Sequence, residues 1–256
     1  MTPQDLHALA FGFLSGALIL MTGVGAGVIV VPGLIALFGM PPSLAIGTAS
    51  LFSVLTRIMA TFEHFPLELP ARNLLLEFGR LAIPATLVTA LSVTLLLNAL
   101  PQWRDAIQLT LKLAVALAAS CAMAMMFLKG INQAMRVHGR RVLPVVTGVL
   151  IGATGIGGGV LIVPALLAAS DISIKRVIGL SVIMGLVLSL ITGVIYGASG
   201  EISWRIVLFL TLGALASMPL AGYLFKRANE YQVRILSGVV MSLAIAGMLI
   251  DIVSHR

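Results

Sequence analysis

Two glycine-rich stretches carry the clearest chemical signal in this 256-residue sequence: Thr22-Gly23-Val24-Gly25-Ala26-Gly27 and Thr154-Gly155-Ile156-Gly157-Gly158-Gly159. Each interrupts an apolar run and is followed by Val-Pro, at Val31-Pro32 and Val163-Pro164. Glycine opens backbone angles closed to other residues, and its bare Cα lets a solute approach the peptide N–H groups. A helix that restarts after each break, near Val28 and Val160, turns free N–H groups and the positive end of its dipole toward the break. Such ends favour an anion. The prolines fall in the first turns of these short helices, where a missing N–H costs little. Hydroxyls close by in sequence, on Thr22, Thr48, Ser50, Ser53, Thr154 and Ser181, are candidate ligands for substrate oxygen, although such groups often bond back to their own helix. Arg57 is the only formal charge between Leu6 and Phe62. A cation at that depth is either a partner for the anion or an arginine snorkelling to the inner interface. A competing reading of the glycines is close helix packing, which a gap-free second copy disfavours. A dinucleotide fingerprint fails, because no strand precedes the glycines.

No cofactor and no metal are expected. His64 and Glu63 lack a further ligand at helical spacing, Met123, Met125 and Met126 read as packing, and the single cysteine, Cys121, lies in an apolar run. No His, Asp or Glu in the spans supplies a base beside a nucleophile, so an enzyme is not expected.

The elements that must position these residues are membrane helices. Hydrophobic residues make up 59% of the chain, charged residues 10%, and mean hydropathy is +1.11. From Leu6 to Thr56 no side chain carries a formal charge, enough for more than two crossings at about 20 residues each. Further charge-free runs follow at 81–103, 142–170, 177–200 and 206–225. Their length, without period-2 alternation, predicts an all-α integral membrane protein and excludes a barrel. The net charge of +7 sits between apolar runs rather than on a stripe, so it reports topology and not nucleic acid. The apolar amino terminus lacks a basic leader region and is read as structure.

At a constant offset of 132 residues, Gly16–Ala36 matches Gly148–Ala168 at 12 of 21 positions. The chain therefore reads as two repeats, 1–138 and 139–256. Each comprises a helix (6–21; 143–153), the break, a short helix (28–38; 160–169) and three spans (43–62, 73–98 and 104–129; 175–197, 203–225 and 232–252). The broken element fits best as a hairpin. With the basic 129–144 connection inside, that choice puts ten Lys or Arg in inner loops and three in outer ones, against seven and six for a single crossing. Hairpins also make the repeats inverted, the pattern of secondary transporters whose broken helices meet at the substrate.

The doubled pattern, with Gly47-Thr48 after the first copy and Gly179 after the second, resembles the TauE/SafE family of sulfite and organosulfonate exporters. It departs at Ala26 against Gly158 and at Thr48 against Leu180, so equal roles for the halves do not follow. The resemblance implies export of a small sulfur-containing oxyanion across a bacterial plasma (inner) membrane, coupled to an ion gradient. The partners expected are that anion, the lipid bilayer, a coupling ion (H⁺ or Na⁺) and a second copy of the chain. A passive anion channel on the same architecture is the alternative.

Overall fold

The computed structural model describes residues 2–22, 26–64, 72–127, 131–156, 162–163 and 174–225, with ten more between 235 and 250. The helices are α1 (Pro3–Thr22), α2 (Ala26–Phe38), α3 (Pro42–His64), α4 (Arg72–Ala99), α5 (Arg104–Phe127), α6 (Ile131–Thr154), α7 (Ile174–Ala198) and α8 (Trp204–Phe225). A 3₁₀ turn, Pro101–Trp103, joins α4 to α5, and no strand occurs among the described residues. Stretches long and apolar enough to cross a membrane lie at Pro42–Met59, Asn73–Ala99, Pro101–Ala124 and Gly179–Ala198. The first is 72% buried within the protein and the second 28%, which makes α3 central and α4 peripheral. Leu87, Val88, Leu95, Leu117 and Val194 face outward, as lipid contact requires. The chain is an α-helical, multi-pass membrane protein.

Three sequence expectations need correction. The basic 129–144 connection is helical from Ile131, so α6 is 24 residues long and runs through Pro144. Charge alone made that segment look like a loop, yet no residue from 131 to 143 ends a helix outright, and one Gly139 is tolerated. Glu63 and His64 close α3 instead of lying in a loop. Pro32 lies seven residues into α2, beyond the four free N–H groups, so it does remove a helix bond. Of the second short helix only Ile162 and Val163 are described, both helical.

The first broken element folds back on itself. The Phe11 ring fills the place of a side chain at Gly33, where a Cβ would lie 2.2 Å from its Cζ. In one continuous helix these positions would be about 33 Å apart. The ends agree: Asp5 of α1 pairs with Arg205 at 2.8 Å, and Ser43, just after α2, bonds Glu201 at 2.7 Å, only four positions from Arg205. The Asp5 carboxyl lies outside the apolar run, and the Arg205 guanidinium holds it down to about 2. Whatever that pair adds to folding is therefore complete above the ordinary carboxylate range and lost as pH falls through about 2. With thirteen residues, α2 spans about 20 Å, less than a roughly 30 Å hydrocarbon layer, so it is too short to cross the layer by itself.

Small residues set the helix contacts. Along α1 and α8, which run parallel, a Cβ on Gly12 would lie 2.3 Å from the Leu210 carbonyl oxygen and one on Gly16 2.6 Å from Ala214 Cα. Along α4 and α6, one on Gly148 would lie 2.4 Å from the Ala82 oxygen and one on Gly152 2.7 Å from that of Thr86. Close backbone approach of this kind drives helix association where lipid removes the hydrophobic effect. Gly12→Ala should therefore cost about 1–3 kcal/mol, read as a lower melting temperature in detergent. An unchanged melting temperature would show that α1 does not depend on this seam.

Candidate functional site

The described ends of the two glycine-rich stretches, Gly27 and Gly155, meet. Gly155 ends α6 with φ 65°, the left-handed conformation that glycine takes without strain, and its N–H still bonds the Ile151 carbonyl at 2.8 Å. Thr154 fixes the turn: its hydroxyl donates to the Leu150 carbonyl at 2.6 Å and accepts from the Ile156 N–H at 3.2 Å. Gly27, at the start of α2, packs directly on this turn. A Cβ there would fall 1.8 Å from the Gly155 oxygen and 3.1 Å from Ile156 Cα. The positive end of α2 thus faces the carbonyl end of α6.

Ser50 looks into the same junction. A Cβ on Gly155 would lie 3.3 Å from its Oγ, and 3.4 Å from the Cγ2 atoms of Ile46 and Val31. Ser50 is 2% exposed and its hydroxyl has no hydrogen-bond partner. A buried hydroxyl left so costs about 1–3 kcal/mol, and the Ile46 and Val31 side chains that share the junction are apolar, fully buried and offer it no partner. Ser50 also sits at the centre of the Pro42–Met59 stretch.

Arg57 lies two turns further along α3, about 10 Å from Ser50 by helix rise. It is 4% exposed and turned toward α7, not along the helix surface. Its Nε donates to Ser53 Oγ at 3.2 Å, and its Nη1 to the Ser181 and Val182 carbonyls at 3.3 and 3.4 Å. Ser53 Oγ also meets Ser189 Oγ at 3.3 Å. Helices α3 and α7 run antiparallel here, Arg57 against Gly185, Ser53 against Ser189 and Leu51 against Gly193.

Thr48 belongs to neither level. Its hydroxyl accepts from the Ser203 N–H at 3.0 Å, in the connection between α7 and α8, where Glu201 is held by Ser43 and by an ion pair with Arg104. Gly200, at φ 78°, closes α7 and brings the Glu201 N–H onto the Tyr196 carbonyl at 2.8 Å. The structure accordingly joins Gly27, Ser50, Thr154, Gly155 and Ile156, sets Arg57 and Ser181 toward the carboxy-terminal end of α3 from them, and leaves Thr48 toward its amino-terminal end. Gly23, Val24, Gly25, Gly157, Gly158 and Gly159 lie outside the described residues, as do the side chains of Thr22 and Ala26. Sequence reasoning passed over Ser189 and Gly185. The signal was present, since they are the 132-residue counterparts of Arg57 and Ser53. Among the described residues no cluster of three His, Cys, Asp or Glu could hold a metal.

Comparison with known proteins agrees with a transport architecture. The family model described as Sulfite exporter TauE/SafE matches residues 8–248. A "Probable membrane transporter protein YjnA" of Bacillus subtilis (strain 168) is 24% identical over 234 residues, covering 88% of this chain and 91% of its own length. A "Probable membrane transporter protein" of Haemophilus influenzae is 30% identical over 196 residues, covering 72% and 70%. No solved structure matches the chain. With nearly its whole length within the family model and transporters as its relatives, this chain is a membrane transporter rather than an enzyme, and it belongs to the sulfite exporter TauE/SafE family.

Proposed function

We propose that the chain is a secondary carrier of a small sulfur-containing oxyanion, such as sulfite or an organosulfonate, exporting it across a bacterial plasma membrane by alternating access. The substrate binds where the Gly-rich breaks of two inverted repeats, 1–138 and 139–256, face each other. The observation that carries this reading is the junction of Gly27, Gly155 and the unpartnered Ser50 hydroxyl. A short oxyanion supplies what Ser50 lacks, and the start of α2 favours its charge. Because Gly27 and the Gly155 carbonyl leave no room for a methyl group, the substrate reaches Ser50 only when the two breaks separate. That requirement makes a carrier of the junction. Coupling to H⁺ or Na⁺ and assembly as a homodimer complete the proposal.

Support for inversion comes from the packing. Gly16 meets Ala214 and Gly148 meets Ala82, pairs that exchange under the 132-residue offset. Ser53–Ser189 and Arg57–Gly185 exchange in the same way across antiparallel α3 and α7. A two-fold axis in the membrane plane produces this pattern, whereas parallel repeats would bring α3 and α7 together pointing the same way.

Two measurements test the reading. In a thermal-shift series, sulfite and sulfoacetate should raise the melting temperature in proportion to occupancy while acetate does not. Equal stabilisation by carboxylates would remove the sulfur oxyanion from the proposal. In proteoliposomes, internal unlabelled sulfite should accelerate entry of labelled sulfite; entry indifferent to internal sulfite would favour a passive anion channel.

A further inference from the structure

We propose that Gly185 is a positioning residue for Arg57: its missing side chain is the slot that holds the guanidinium between α3 and α7. A Cβ at Gly185 would lie 2.3 Å from Arg57 Nη1, 2.4 Å from Cζ and 2.7 Å from Nη2, all closer than non-bonded atoms approach. These three nearest neighbours are guanidinium atoms, and none is backbone. Adding a methyl group therefore displaces the cation before it displaces a helix. A guanidinium so displaced surrenders its hydrogen bonds to the Ser181 and Val182 carbonyls, and the positive charge leaves the interior face of α3.

Repeat register sharpens the assignment. The counterpart of Arg57 in the second repeat is Ser189, and it faces Ser53, whose own counterpart is Gly185. Where the second repeat presents a hydroxyl to a hydroxyl, the first presents a guanidinium to a glycine. One side of the crossing has gained a large cation and the other has given up its side chain to make room. The crossing thereby carries a buried guanidinium on one side of an otherwise two-fold framework, two turns of α3 from Ser50.

This inference rests on the reading of Arg57 as the cation that attracts the substrate anion, and the experiment separates the two. Sulfite binding is measured by calorimetry on purified Gly185→Ala, Arg57→Gln, the double variant, and Gly193→Ala. Gly193 lies on the same crossing, but its nearest neighbour would be 3.5 Å from a Cβ, an ordinary contact. Arg57→Gln should weaken binding about twentyfold, Gly185→Ala should approach that loss, and the double variant should be no weaker than Arg57→Gln alone. Gly193→Ala should bind as the parent does. Unchanged or tighter binding by Gly185→Ala overturns the slot, as does a double variant in which the two losses multiply, since a mere packing defect would be independent of Arg57. If Gly185→Ala does not fold, folding of the double variant supports the slot, and failure of both overturns it. Parent-like binding by Arg57→Gln would instead remove Arg57 from the proposed function.

Discussion

Gly27→Ala is expected to leave a folded, monodisperse protein whose sulfite counterflow falls by about 5- to 150-fold. The reason lies in what the new methyl group meets. At 1.8 Å from the Gly155 oxygen it collides with backbone of a different helix, and no side-chain rotation can relieve the overlap. The α2 start and the α6 turn must move apart. Overpacking of this kind costs about 1–3 kcal/mol, small against the packing of eight described helices but large for the closed state alone. By the usual conversion, the population of the closed junction falls by about 5- to 150-fold. A carrier has to pass through that closed state in every cycle, so exchange slows by the same factor. Circular dichroism and gel filtration monitor folding, and counterflow in proteoliposomes reads transport. Parent-like counterflow would mean that the junction need not close, and the proposed site would fall with it. Gly155→Ala tests the same point from the other side, with added strain because φ is 65° there.

Much of this geometry was legible in the sequence. Long charge-free runs located the spans, and the doubled Gly-rich stretch located the breaks, because lipid leaves the backbone few options and glycine marks where it departs from them. Self-similarity says which segments are alike, however, and not which of them touch. That α1 lies on α8 and α4 on α6 depends on surface shape, for which spaced small residues such as Gly12, Gly16 and Gly213 were the available hint. The 131–143 segment misled for the opposite reason: basic residues suggested a loop, yet a helix carries them as readily. For Gly185 the offset supplied only a pairing with Ser53; its partner is a side chain 128 positions away, and a glycine inside an apolar helix looks the same whether it faces lipid, backbone or a guanidinium.

The exchanged pairing also bears on motion. Since α1 is seated on α8 and α4 on α6, neither repeat is a free body by itself. The seams that would have to break for one repeat to rock against the other bring backbone directly against backbone at Gly12 and Gly148. Under the proposed alternating access, mixed bodies, one containing α1 and α8 and the other α4 and α6, would move with those seams intact. They would pivot on the α3–α7 crossing, where contacts run through hydroxyls and the Arg57 guanidinium.

Arg57→Gln is the second large effect, and its size follows from distance. Arg57 lies two turns from Ser50 on α3, a backbone separation of about 10 Å, which sets the scale of its influence on an anion at the junction. It acts through its field. With an effective dielectric constant near 20, a unit charge at about 10 Å stabilises an anion by roughly 1.7 kcal/mol, or about twentyfold in affinity. Arg57→Lys keeps the charge and forfeits only the forked hydrogen bonds, so its affinity should stay within about threefold of the parent if the field is what matters. A loss on lysine substitution as large as on glutamine substitution would show that the guanidinium itself grips the substrate in another state of the cycle. Because the pair is buried between α3 and α7, the difference between Arg57→Gln and Arg57→Lys should also persist in high salt, whereas an effect exerted through the surface would be screened away within about 10 Å at 0.1 M. Affinity measured at low and at high ionic strength, with a neutral osmolyte as the control, decides this. A difference that vanishes with salt would show that the charge at position 57 acts through solvent rather than from a buried site.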